Sequence, residues 1–198
     1  MEKHNLFNSR IFRYLKSIII CCVILLSTLS LYGCDDSYVQ GLEYCNTYVN
    51  DTVEIKYLLY DTEFLDKYTY KNGDFFYYGG TFTMCKSLLY LEYDEETYDN
   101  AKEELLLNTE CSQLEFNYKG FTFFNNLSWR NEHRPYSENE LETLSDCFVM
   151  LSYNDERNTI VAIGYCKKSS NDISGRDIKN DEDFAEFIEK YYLEFYKF

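Results

Sequence analysis

Eight cysteines, two histidines and 34 acidic residues are the side chains of this sequence best suited to chemistry. No two cysteines are spaced as Cys-x-x-Cys, so neither a zinc ribbon nor a thioredoxin-type pair is indicated. His133 stands in Arg130-Asn131-Glu132-His133-Arg134, where the flanking cations favour the neutral ring and make it a poor metal ligand and a poor base. The chain has no Gly-x-Ser-x-Gly elbow, no Gly-rich phosphate loop and no dinucleotide fingerprint. Acids are spread so evenly that no catalytic carboxylate pair stands out. The stretches Asn171 to Asp177 and Asn180 to Asp183 lack the alternating acids and terminal Glu of a calcium loop. No metal and no cofactor are therefore expected. One segment remains as a candidate binding loop. Trp129 to Tyr136 carries the sole Trp, the sole Pro (Pro135) and His133.

The N-terminus has a clearer pattern. Lys3, Arg10, Arg13 and Lys16 face one acid, Glu2, and the apolar run from Ile18 to Leu26 follows and fades through Ser27, Thr28 and Ser30. A basic start, a short apolar run and a small residue at the break make a secretory signal, with everything after it exported. The break reads Leu31-Tyr32-Gly33-Cys34 and resembles the lipobox of bacterial lipoproteins: an aliphatic residue, a small one, Gly or Ala, then Cys. Tyr32 departs from the small residue usual in its slot. The resemblance covers residues 1 to 34. It implies a diacylglyceryl group on the Cys34 sulfur and cleavage between Gly33 and Cys34. Two acyl chains, at about 0.8 kcal/mol per buried CH₂, hold a protein stably on a membrane where one does so marginally. The other reading of these residues is an uncleaved signal anchor. The expected organisation is a signal peptide over 1–33, an acidic spacer over 34–50 and one domain over 51–198.

Charge narrows the partners. The full chain carries a formal net charge of −15, and beyond residue 33 the balance is 15 Lys and Arg against 33 Asp and Glu, a net of −18. Such a surface opposes nucleic acid and does not lie flat on anionic lipid. The 21 Tyr and 15 Phe read either as a Tyr-lined binding surface or as the codon bias of an AT-rich genome. On either reading the chain is too rich in large apolar groups to stay disordered.

The elements that must position these residues follow from local pattern. Lys71-Asn72-Gly73-Asp74 has the composition of a turn. Gly79-Gly80 is expected to close a hairpin between Phe75–Tyr78 and Thr81–Met84. Leu88 to Tyr93 reads as a strand. Asp94 reads as the N-cap of a helix with Tyr98, Ala101 and Leu105 on one face, ending near Leu107. Lys119-Gly120 joins a second hairpin, and a short helix is expected over Glu138 to Leu144. The runs Cys147–Tyr153 and Thr159–Cys166 form a third hairpin. Folding it about Glu156 and Arg157 sets Met150 opposite Ile163, Phe148 opposite Tyr165 and Cys147 opposite Cys166. Opposed Cα atoms in an antiparallel pair lie about 4.5–5.5 Å apart, so a Cys147–Cys166 disulfide is geometrically open. Asn180 caps a last helix, expected to run to Lys197, with an amphipathic stripe of Phe184, Phe187, Ile188, Tyr191, Tyr192 and Phe195.

The fold class expected is α+β: an antiparallel sheet of about five to seven strands with the amphipathic C-terminal helix and a second helix packed on one face. The function expected is that of a lipid-anchored protein on the outer face of a cell membrane. It would act as a non-enzymatic binding or accessory domain for a protein or small ligand. The alternative is a small surface hydrolase using carboxylates near the loop of Trp129, His133 and Tyr136.

Overall fold

The computed structural model describes residues 37–44, 67–79, 84–108, 111–127, 142–194 and 196–198. The compact unit that holds them runs from Asp36 to Phe198. Its strands are β1 (Ser37–Gln40), β2 (Tyr70–Gly79), β3 (Cys85–Tyr93), β4 (Cys111–Tyr118), β5 (Phe121–Asn126), β6 (Cys147–Asn154) and β7 (Thr159–Cys166). Helix α1 spans Glu95–Asn108, α2 spans Asp181–Tyr191, and a 3-10 turn covers Gly175–Asp177. The seven strands form one sheet in the order β1-β2-β3-β7-β6-β5-β4, with every pair antiparallel. The class is α+β.

The β6–β7 hairpin has the expected register, with Met150 opposite Ile163, Phe148 opposite Tyr165 and Cys147 opposite Cys166. Its turn is held by Asn154, whose side-chain oxygen accepts the Arg157 N–H at 3.0 Å. The β4–β5 turn falls at Lys119 and Gly120, both with positive φ (49° and 82°). That is the mirror-image turn whose twist suits a two-residue hairpin.

Three boundaries differ from expectation. Lys71 to Asp74 is not a turn but part of β2, with a register irregularity between Tyr70 and Asn72. Gly73 is there for space: a Cβ would lie 2.8 Å from Leu42 Cδ1 and 3.1 Å from Leu91 Cδ2. Gly79 likewise ends β2 instead of closing a tight hairpin. Tyr78 pairs with Lys86 and β3 begins at Cys85, while residues 80–83 of the expected hairpin lie outside the described residues. The acidic spacer also contributes to the sheet, since Ser37–Gln40 pairs with Phe76–Gly79 as an edge strand. The Glu138–Leu144 helix lies partly outside the described residues; from residue 142 the chain is irregular, with Leu144 buried.

The two helices cover opposite faces of the sheet, a correction to the expected one-sided packing. Tyr98, Ala101 and Leu105 of α1 pack with Leu89, Leu91, Leu151 and Ala162 on the first face. Phe184, Phe187, Ile188 and Tyr191 of α2 pack with Leu88, Met150, Val161 and Ile163 on the second. The cause is in the strands. β3, β6 and β7 are apolar at successive positions, and all eight residues of β7 are buried. Successive strand residues point to opposite faces, so such runs need cover on both.

Helix α2 starts where expected. The Asn180 side chain accepts from Glu182 N–H at 2.9 Å and Asp183 N–H at 3.0 Å, and three acids occupy the first turn. Its buried residues are Phe184, Phe187, Ile188 and Tyr191, while Asp181, Glu182, Glu186 and Glu189 face solvent. It ends at Tyr191, short of Lys197. Tyr192 turns inward instead, donating its hydroxyl to the Gly164 carbonyl at 2.7 Å. Lys86 supplies a cation to the helix end by donating to the Tyr191 carbonyl at 2.9 Å, and its partial burial pulls the ammonium pKa down.

Candidate functional site

The chemistry-bearing residues that the fold assembles are cysteines. Cys147 opens β6, Cys166 closes β7 and Cys85 opens β3. β7 lies between the other two strands, and Cys166 stands directly opposite Cys147 on one side and Cys85 on the other. The three residues therefore form one row across three strands, on the α1 face. Cys147 and Cys166 are joined by a disulfide. Cys85 is a free, buried cysteine whose Sγ accepts a long hydrogen bond from the Tyr77 hydroxyl at 3.6 Å. Gly79 lies beside it; a Cβ there would sit 2.9 Å from the Cys85 sulfur.

The segment entering β6 is fastened around this row. Lys167 N–H donates to the Asp146 carbonyl at 2.8 Å, and Ser174 donates to Asp146 Oδ1 at 2.5 Å. Ser145 donates to the Cys147 carbonyl.

A second feature lies on the outer side of α1. Lys67, Tyr68, Asn100, Glu103, Glu104 and Leu107 line an open cleft of about 400 Å³, within the ordinary size of small-ligand sites. Helical spacing places Asn100, Glu103, Glu104 and Leu107 on one stripe. Lys67 and Tyr68 both donate to Glu104 Oε2. The hydrogen bond from Lys67, then that from Tyr68, holds the Glu104 carboxyl below its ordinary pKa. The same Glu104 bond raises both the Lys67 ammonium and the Tyr68 hydroxyl. Glu104 is therefore kept ionised, which suits it to accept hydrogen bonds and not to donate a proton near neutral pH. Leu107, 76% exposed, gives the rim an apolar edge.

Of the residues singled out in the sequence, the fold brings Cys147 and Cys166 together. Cys34, Gly33, Trp129, His133 and Tyr136 lie outside the described residues, as does Cys45. Among the described residues, no cluster of three His, Cys, Asp or Glu side chains has the geometry of a metal site. None of their helices is long and apolar enough to cross a membrane. Sequence reasoning missed Cys85. The only signal available for it was its place at the head of an apolar strand, and that does not disclose which strand lies beside it. No known family model, curated protein or solved structure matches the chain.

Proposed function

We propose that this protein is an exported lipoprotein, held at the outer face of a cell membrane by a diacylglyceryl group on Cys34, whose α+β domain binds a partner and catalyses no reaction. The observation that carries the reading is the Cys147–Cys166 disulfide, a bond that persists in oxidising, extracytoplasmic compartments. It agrees with the basic, apolar and lipobox-like order of residues 1–34. For binding, the support is the cleft beside α1. Its carboxylate is locked ionised by Lys67 and Tyr68, and an exposed leucine sits at its rim. A net charge of −18 beyond residue 33 would hold such a domain off anionic lipid and leave the cleft open to a partner.

The test is metabolic labelling with radioactive fatty acid. The wild-type chain should take label, and Cys34→Ala should take none and remain as precursor. An unlabelled wild type would remove the anchor from the reading. Cross-linking in native membranes then addresses the cleft: a Glu104→Ala, Leu107→Ser variant should lose partners that the wild type retains. Unchanged partners would remove the cleft.

A further inference from the structure

We infer that the three-cysteine row is a thiol–disulfide exchange site, in which Cys85 displaces Cys147 from Cys166 and the bridge passes from β6–β7 to β3–β7. The inference is independent of the lipid anchor and of the cleft.

Geometry carries it. Exchange at sulfur is a substitution: the attacking thiolate, the sulfur attacked and the leaving sulfur lie in a line. The row supplies that order. Cys166 is central, bonded to Cys147 on the β6 side and faced by Cys85 from the β3 side. Neighbouring strands stand about 4.8 Å apart, so the nucleophile needs to shift by a side-chain rotation and not by strand movement. The Cys85 sulfur rests toward β2, where it accepts the Tyr77 hydroxyl beside Gly79, so attack on Cys166 starts with its rotation across β3 toward β7.

The step balances without an added oxidant. The Cys85 thiol loses its proton to solvent, and its sulfur forms a bond to Cys166 Sγ. The Cys166–Cys147 bond breaks, and the electron pair leaves on Cys147, which takes up a proton. One disulfide and one thiol are present before and after.

The two arrangements differ in what they expose. Cys85 is buried at 5% exposure, whereas Cys147 is only partly buried. Exchange therefore moves the reducing equivalent from the core to the start of β6, next to residues 142–146. The released thiol is the group that an outside electrophile or a disulfide-bearing partner would meet. Exchange would also remove the covalent link between β6 and β7 and leave the Asp146 hydrogen bonds to hold the entering segment.

The experiment traps the product. The full-length oxidised chain, with Cys45 and Cys111 replaced by Ser, is incubated with N-ethylmaleimide at pH 8 under native conditions. It is then acid-quenched, digested and mapped without reduction. The expected result is maleimide on Cys147, with a Cys85–Cys166 linked peptide growing in step and faster at higher pH. A Cys85→Ser variant should keep the Cys147–Cys166 bridge and leave Cys147 unlabelled. Label confined to Cys85, or no Cys85–Cys166 peptide, would overturn the inference. So would equal labelling of Cys147 in the Cys85→Ser variant, or label that appears only in urea concentrations that unfold the sheet.

Discussion

The two faces of the sheet are built differently. The second face is an aromatic mass: Phe116 stacks on Phe184 at 4.8 Å, Phe123 meets Phe184 at 4.9 Å, and Tyr165 meets Phe187 edge-on at 5.0 Å. Phe198 closes it against Phe121 and Phe123. The first face is mostly aliphatic, and α1 reaches it through Tyr98, Ala101 and Leu105. The helix is fastened instead at its polar margin. Tyr98 and Lys102 both donate to Asp155 Oδ1 at 2.6 Å, and the Lys102 ammonium lies 3.9 Å from the Tyr153 ring centre. All the described cysteines of the row lie on this lighter side. The face packed with interlocking rings resists change, because rings that fill one another's gaps leave no space to rearrange. Its opposite tolerates movement of a sulfur.

Alkaline pH should produce the largest effect, because it acts on both faces. Burial, above all, raises the hydroxyl pKa values of Tyr90, Tyr165 and Tyr192 on the second face and of Tyr93 and Tyr98 on the first. A raised folded-state pKa leaves stability intact below the ordinary tyrosine value of about 10. Above it, the unfolded chain releases protons that the folded chain keeps, so stability falls as pH rises. Between about pH 10 and 12 a first set of exposed tyrosines should ionise without loss of structure. The buried set should ionise only together with loss of the sheet's circular dichroism. Complete tyrosine ionisation with the dichroism intact would contradict this burial.

Substitution separates the faces. Phe187→Ala removes a fully buried ring that contacts Phe148, Tyr165, Tyr191 and Tyr192. The expected cost is about 3–5 kcal/mol in urea unfolding. Leu105→Ala on α1 should cost about 2 kcal/mol, the low end for a buried leucine, since fewer side chains lock around it. A larger loss from Leu105 than from Phe187 would reverse the comparison. Smallest is Tyr98→Phe, which removes the hydrogen bond to Asp155. With Asp155 62% exposed, the expected cost is about 1 kcal/mol. No change in the unfolding midpoint would mean that the margin of α1 is held by Lys102 alone.

How much of this was legible from sequence depends on whether the information was local. The β6–β7 register follows from two apolar runs about one polar turn. The positive-φ Lys119-Gly120 turn and the Asn180 cap are equally local. Which side of the sheet a helix covers is not local. Yet Leu88-Leu89-Tyr90-Leu91 and Ile160 to Ile163, apolar without alternation, already required two covered faces. The N-terminal half of β2 was hidden because Asn72, Gly73 and Asp74 carry turn chemistry, and their strand is imposed by Tyr90 to Tyr93 alongside. β1 was hidden by being four residues long within an acidic stretch. The Cys147–Cys166 bridge was readable because both residues belong to one hairpin. Cys85 was not, since its neighbour comes from a pairing 81 residues away in sequence.

The first turn of α2 has a consequence beyond starting a helix. Among the described strands β4 is the last of the sheet, and the outer backbone of an edge strand is where another chain's strand can add. Asp181 reaches back across that border, and its carboxylate accepts the Asn117 amide at 2.8 Å. The Asn117 amide is thereby occupied, and a carboxylate charge stands at that border. An Asp181→Ala chain would release the Asn117 amide and take that charge from the border, so the residue that starts the helix also sets what the edge of the sheet presents.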